Sequence, residues 1–304
     1  MKSLKKLVDY NFPKIKISDI GAMATTDNIR YSKLLENDDA NIIGFEPDDH
    51  QYSKLVDSNK NKRIKYLKYF LGDGTEKNFY ITRYPGCSSL LEPNGDLINL
   101  FNTISTKENG NFYVKKVEKV KTKKMDEINE VLGTDLLKVD TQGSELEILS
   151  SFINNLKNTL VIETEVEFVE IYKKQPLFAD IDIFLRKNGF ILHKLIDIGG
   201  RPISPFIKKN DPAHPFSQLL WADAIYVKDF INLKNYSDDD LLKASYILHD
   251  VYDSYDLCYL LLNEYSERKK LNLNEQYAKN LALNKFEIKF MNLKTEIDSE
   301  KSEN

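Results

Sequence analysis

A doubly wound α/β sheet followed by a helical C-terminal extension is the fold class that this 304-residue sequence predicts. Three observations carry the prediction. Strand-like and helix-like patterns alternate from Lys14 to Lys228, three carboxylates (Asp19, Glu46 and Asp140) stand at the ends of predicted strands, and beyond Asn235 the apolar spacing becomes helical.

The elements follow in order. KIKISDI (14–20) reads as a first strand and 27–37 as a helix; NIIGFEP (41–47) is a second strand, 48–58 a second helix, and 64–71 a third strand. NFYITRY (78–84) and NFYVKKVEKVKT (111–122) alternate with period two around the turn-rich loop PGCSSLLEPNGD, which suggests an extra ribbon or edge pairing. The alternation returns with LLKVD (136–140), a helix after Ser144, TLVIETEVEF (159–168), a helix over 179–188 and FILHKLI (190–196). After the loop GGRPISPFIKKNDPAHPF, LLWADAIYVK (219–228) is the last strand. Leu241, Ala244, Leu248, Val251, Tyr255, Cys258 and Leu262 then recur at spacings of three and four, one apolar face of a helix. The expected organisation is a domain over 1–235 and a helical extension over 236–304 with a frayed end. The extension's apolar face packs back on the sheet domain or forms a homo-oligomer contact.

Composition excludes several functions. There are 43 basic and 47 acidic residues, mixed along the chain, for a net charge of −4 and a pI near 5.7, so no nucleic-acid footprint is evident. MKSLKKLVDYNFPK has lysines but no apolar run after them, and no stretch approaches the roughly 18 apolar residues of a membrane helix. A cytoplasmic protein without membrane insertion is the expectation. Cys87 and Cys258 are far apart and lack metal-ligand neighbours, so neither a disulfide framework nor a metal site is expected.

The stretch LLKVDTQGSELEIL (136–149) focuses the functional question. A buried strand ends in Asp140, Thr141, Gln142 and Gly143, and Ser144 with Glu147 reads as a capping box opening a helix. Such turns lie at the carboxyl ends of strands, where open α/β sheets bind ligands. Turn and cap chemistry accounts for Gly143, Ser144 and Glu147 and leaves Asp140 and Gln142 without a role. An acidic residue after the second strand, Glu46, suits the two hydroxyls of a ribose. A dinucleotide would further require G-x-G-x-x-G after the first strand, whereas Gly21 is followed by Ala22, Met23, Ala24, Thr25 and Thr26. S-adenosylmethionine has no phosphate and carries cations that acidic strand ends favour, so the missing glycines count against NAD far more than against that cofactor.

SDIGA, GFEPD, FLGDGTEKNFYI, SSLLEPN, LLKVDTQGSELEIL, VIETEVEFVEIYKKQPLFADIDIFLRKNGF and WADAIYV, in that order, resemble the FkbM family of S-adenosylmethionine-dependent methyltransferases. The resemblance runs from about Ile15 to Lys228 and leaves the region after Asn235 outside it. It implies the Rossmann-like class I methyltransferase fold, seven strands with the last antiparallel, and methylation of a hydroxyl oxygen on a sugar, glycan or related metabolite. By the same resemblance, Asp19 and Gly21 match the motif around the methionine end of the cofactor and Glu46 the ribose acid. Gly72 and Asp73 match the segment near adenine, and Asp140 the residue close to the transferred methyl.

A hydroxyl is a poor nucleophile while protonated, so a general base is expected, with Asp140 the first candidate and Glu163 the second. Asp140 reads equally as a cofactor or turn ligand. Glu163, Glu165 and Glu167 alternate on one strand and share a face, which a solvated row at a sheet end would also explain. His193 reads as a satisfied structural histidine, while His214 and Arg201 lie on a loop that could cover an acceptor. Ser88, Ser89 and Asn94 satisfy turns or bind acceptor hydroxyls. Two other functions fit the same pattern: an NAD-dependent oxidoreductase, disfavoured by the glycines, and a noncatalytic binding or assembly module.

Overall fold

The protein is described from a computed structural model covering residues 2–22 and 29–283; the loop positions Met23 to Thr26 and the charged C-terminal end discussed above lie outside the described residues. Among the described residues ten strands form two sheets: β1 (Ile15–Ile20), β2 (Ala40–Phe45), β3 (Ile64–Leu67), β4 (Phe70–Leu71), β5 (Glu76–Thr82), β6 (Val114–Lys123), β7 (Leu136–Val139), β8 (Val161–Glu167), β9 (Phe190–Gly200) and β10 (Leu219–Lys228). The larger sheet has the order β3-β2-β1-β7-β8-β10-β9. The pairs β2–β3, β1–β7 and β7–β8 are parallel, and β10 runs antiparallel to both neighbours. This is the seven-stranded order, last strand reversed, that the resemblance implies.

β7, LLKV, is apolar but for Lys138, as a strand covered on both faces requires, whereas β8, VIETEVE, alternates apolar residues with acids. On one face Leu137, Val139, Ile162, Val166, Ala222 and Ala224 join a core with Ile148, Leu149 and Phe152, and with Ile181 and Leu185 of the helix Phe178–Lys187. The other face of β8 carries Glu163, Glu165 and Glu167. A solvated row is not what forms there: Glu163 and Glu167 are buried and Glu165 half-buried, with Gln142 of the turn after β7 reaching Glu165 at 2.8 Å.

The smaller sheet, β4-β6-β5, is the ribbon that the period-two segments suggest, with β5 and β6 antiparallel. The expected single strand over 64–71 is divided. Its first part pairs with β2, and after Lys68 and Tyr69 the chain crosses to pair with β6, where Phe70 packs edge-on against Phe79 at 4.8 Å.

The chain forms two compact units. One holds the described residues within Lys16–Asp27 and Ala40–Phe230, and with them both sheets save Ile15; the other holds the described residues within Met1–Ile15, Asn28–Asp39 and Ile231–Asn304. In the second unit the expected single long helix is broken. Helices Asp238–Asp250 and Tyr255–Lys269 are separated by a turn in which Asp253 adopts φ +50°, and a further helix spans Leu273–Leu283. The three-and-four spacing runs through the break, so periodicity could not reveal it. Ser237 caps the first helix, accepting from the Asp240 N–H while the Asp240 carboxylate accepts from the Ser237 N–H. The helix predicted over 27–37 is the short Ser32–Glu36 within the described residues. Asp39 binds the Tyr246 hydroxyl at 2.7 Å and Lys5 at 2.7 Å, and buried His249 lies between Tyr277 Oη and the Lys2 carbonyl. N-terminal and C-terminal segments are thus tied by polar contacts inside one unit.

Candidate active site

The carboxyl ends of β1, β2 and β7 meet at one cleft. Gly21 and Ala22 donate their N–H groups to the Phe45 carbonyl, and the Asp140 N–H donates to the Ile20 carbonyl. Gly21 has φ +88°, and a Cβ there would stand 1.9 Å from the Asp140 carbonyl oxygen, so the backbone must be bare at this crossing. The cleft opens into a cavity of about 210 Å³. Gly21, Glu46, Asp140 and Gln142 line its polar side; Phe70, Leu71, Phe79 and Ile81 of the ribbon line its apolar side.

The turn after β7 answers the question that LLKVDTQGSELEIL raises. Gln142 and Gly143 both take positive φ, +60° and +106°. For glutamine this is a disfavoured conformation, costing about 1–2 kcal/mol, and its polar contacts offset that. Gln142 Nε2 donates to Asp140 Oδ1 at 3.1 Å and to Glu165 Oε2 at 2.8 Å. The Tyr172 hydroxyl lies 3.1 Å from Gln142 Oε1 and 3.0 Å from the Cys87 carbonyl, and Ser89 Oγ donates to the Gln142 carbonyl at 2.6 Å. Gln142 therefore holds two carboxylates at one amide nitrogen.

The predicted capping box is replaced by a different arrangement. Ser144 makes no cap contact and donates instead to Thr141 Oγ1, while Glu147 binds the Asp73 N–H and Lys77. Glu145 reaches back: its Oε1 accepts from Thr141 N at 2.8 Å, Gly143 N at 3.1 Å and Thr141 Oγ1 at 3.1 Å. The first helical residue can satisfy the N–H groups of the turn because they point at it, whereas Glu147 is drawn to a cation.

Burial dominates the electrostatics. It raises Glu46 to about 7, against the opposing effect of the Asp48 N–H that Glu46 Oε1 accepts at 2.8 Å. It raises Glu145 to about 7 despite the backbone donors. Glu165 is raised well above the ordinary range by burial and then by Asp140, Glu167 and Glu145; Glu167 is raised by burial and by Glu145. Lys138 is the counterweight, 3.7 Å from Asp19 and 3.7 Å from Asp140. Burial acts to lower the Lys138 value, but Asp19, Asp140, Glu163 and Asp223 together raise it, so the ammonium stays charged.

The sequence-predicted residues divide between places. Gly21, Glu46 and Asp140 line the cavity, and Asp19 stands behind them beside Lys138. Glu163 is buried opposite Lys138 in the β7–β8 register and is not among the cavity-lining residues. Gly72 and Asp73 also lie off the cavity lining. Gly72 packs on Thr122, and Asp73 is held by Thr75 and Lys77. Ser88 and Ser89 line the cavity while serving the loop, Ser88 Oγ accepting from Thr82 N and Ser89 Oγ from Leu91 N. Asn94 donates to the Glu170 carbonyl. Arg201 stacks over Trp221, 5.0 Å from the ring centre. Gln142 was marked in the sequence only as a turn residue without a role, and Glu165, Glu145 and Tyr172 escaped the sequence reading as site residues; the alternation of Glu163, Glu165 and Glu167 was the available signal for one of them.

Strand order, the reversed β10 and a ligand cleft at the carboxyl ends of β1, β2 and β7 define a class I methyltransferase. The sequence matches the profile of the methyltransferase FkbM domain over residues 19–192, more than half of the chain, and the protein belongs to that family. Its cofactor is S-adenosylmethionine. The chain is similar to precorrin-6y C5,15-methyltransferase from Geobacter metallireducens GS-15, at 12% identity and a TM-score of 0.37 over 74% of this chain and 85% of that one. It is also similar to a TehB-like SAM-dependent methyltransferase from Corynebacterium glutamicum, at 11% and 0.32 over 74% and 86%. A third likeness is to M. capricolum TrmK in complex with S-adenosyl-homocysteine, at 10% and 0.31 over 89% and 96%. No curated protein matches the sequence. Family membership sets the oxidoreductase alternative aside. Among the described residues, no helix is long and apolar enough to cross a membrane.

The donor set suits the cofactor. A bare glycine crossing, a carboxyl group at the end of β2 and an apolar wall beyond it offer what an amino-acid end, a ribose and an adenine require, and no phosphate-binding glycine run is needed.

Proposed function

We propose that the enzyme methylates a hydroxyl oxygen of a sugar, glycan or related metabolite, with Asp140 as the general base. The observation that carries this reading is the position of Asp140: it lines the cavity at the end of β7, and Gln142 fixes its carboxylate beside Glu165. S-adenosylmethionine, when bound, supplies an electrophilic methyl group on a sulfonium. Gly21, with Asp19 behind it, would face its amino-acid end, Glu46 its ribose hydroxyls, and the Phe70–Phe79 wall its adenine. Asp140 would take the acceptor's proton as the acceptor oxygen takes the methyl group and the C–S bond breaks to leave a neutral thioether, a contribution of about 10²–10⁴-fold. Glu165, held toward its protonated form, adds no second full negative charge next to Asp140. Lys138 keeps Asp19 and Asp140 compensated from below. Glu163, buried by Lys138, acts in this reading on that lysine and serves as base only if the acceptor reaches it. The remainder of the acceleration is positioning inside the cavity.

The test compares Asp140→Asn with the parent for calorimetric affinity toward S-adenosylmethionine and for methyl transfer to a panel of polyols and glycosides. Turnover should fall by about 10² or more with cofactor affinity largely retained. Loss of affinity alone would make Asp140 a cofactor ligand and not the base.

A further inference from the structure

The loop between β9 and β10 carries a surface whose residues are not among those lining the cavity. Ile203, Phe206, Ile207 and Phe216 expose between 50% and 63% of their surface, within a stretch of fourteen residues. Large apolar side chains exposed singly are ordinary; several on one loop mark an interaction site. These are also fixed outward. Asn102 N donates to the Pro202 carbonyl at 2.9 Å, Ser204 N to the Leu100 carbonyl at 2.9 Å, and Asn102 Nδ2 to the Phe206 carbonyl at 2.6 Å. The Phe206 and Phe216 rings stack at 6.1 Å, and Lys208 Nζ lies 5.5 Å from the Phe216 ring centre. Leu100, half exposed, extends the patch from the neighbouring segment.

Its position in the fold is specific. β10 begins where β8 ends, with Trp221 opposite Glu167, and β9 ends opposite the start of β10, with Gly200 opposite Leu219. Since β8 is parallel to β7, the loop projects from the same sheet edge that carries Asp140. The chemistry of the patch also selects its partner. Lys208 and Lys209 stand beside the aromatic pair with Asp211 the one acidic residue of the loop, so the apolar tip has a cationic border. Apolar and aromatic side chains bordered by lysines match the boundary of an anionic bilayer, acyl chains beneath and phosphates above.

We propose that the β9–β10 loop is a peripheral membrane contact that seats the catalytic edge of the sheet on an anionic lipid surface. An acceptor hydroxyl on a lipid-linked molecule would then be presented at the cavity, a consequence that rests on the proposed hydroxyl methylation.

The full chain is sedimented with vesicles of phosphatidylcholine containing phosphatidylglycerol, and with vesicles of phosphatidylcholine alone, without methyl donor or acceptor. Binding to the anionic vesicles is expected, weakened by salt, and reduced about tenfold or more by the double variant Phe206→Ser, Phe216→Ser. Lys208→Glu with Lys209→Glu, at positions outside the core, should reduce it similarly and abolish its salt dependence. Unchanged thermal unfolding and cofactor affinity would show that the variants fold. Absence of binding by the folded parent chain, equal binding to both vesicle types, or binding undiminished in the phenylalanine variant would each overturn the proposal. Because the readout involves no methyl transfer, its failure leaves the base assignment of Asp140 intact, and failure of that assignment leaves the membrane contact standing.

Discussion

At the carboxyl end of β7, Asp140 and Glu165 share the Gln142 amide and Glu145 accepts the N–H groups of Thr141 and Gly143 on either side of it, while Asp73, on the turn after β4, and Glu147 share Lys77 at 2.9 and 3.0 Å. Both regions are built from carboxylates in the same unit, and they titrate in opposite directions. Burial lifts Glu145 and Glu165, whereas the Thr75 hydroxyl, and then Lys77, hold Asp73 well below the ordinary range. The contrast teaches that acidic composition alone does not mark a site. What marks it is acid held with too little positive charge nearby, a state that costs stability and is retained where a proton or a cation must be handled. Lys138 supplies part of that charge from one side, and neutral amide and backbone donors supply the rest.

Replacing the amide donor should break this contrast most. Gln142→Met keeps the side-chain length and removes the contacts to Asp140, Glu165 and Tyr172, so a loss of about 1–3 kcal/mol is expected in denaturant unfolding. The loss should grow with pH. Glu165 has a raised folded value, its stabilisation is complete below the ordinary carboxylate value and is lost as pH rises through the folded one, and without the amide its ionised form has less support. An equal loss at pH about 5 and about 8 would show that the amide serves packing alone.

Glu46 sharpens the comparison through binding. With its value raised to about 7, its contribution to folding is present below the model-peptide value and fades as pH rises from there through about 7. A ribose needs the ionised carboxylate as acceptor, so affinity for S-adenosylmethionine should change in the opposite sense. It should strengthen by up to about tenfold per pH unit toward pH 7 and level off above, and Glu46→Gln should flatten the profile. Calorimetric titration across that range decides it; a pH-independent affinity in the parent would remove Glu46 from the ribose site.

The smallest effect is expected on the compensated side. Asp73 and Lys77 are partly exposed, so Asp73→Asn should cost under about 1 kcal/mol in thermal unfolding and leave methyl transfer within about twofold. A large loss of cofactor affinity in this variant would place Asp73 in the adenine region, as the family resemblance implies.

Much of the architecture was legible because periodicity reports burial. Strand-like runs alternating with helical ones gave the order of the sheet elements, and the period-two segments gave the ribbon. Where the reading went astray, a local pattern had two physical readings. Ser144 with Glu147 has the spacing of a capping box, but Lys77, seventy residues away, draws Glu147 off. The spacing from Leu241 to Leu262 continues across a turn at Asp253 because apolar periodicity records which residues are buried and not whether the helix is unbroken. The row Glu163, Glu165 and Glu167 has the alternation of a solvated edge, yet Glu163 and Glu167 are buried and Glu165 is bound by Gln142, contacts that lie far off in sequence.

By itself the sequence determined the sheet class, the acids at the strand ends and the glycine at the β1 crossing, since each follows from the preferences of a few consecutive residues. Only the tertiary structure decided which acids work together. Glu165 and Tyr172 are separated by 23 and 30 residues from Gln142, the glutamine that joins them. Their common environment, and the raised proton affinities it produces, exists only once β7 and β8 lie side by side and water is gone.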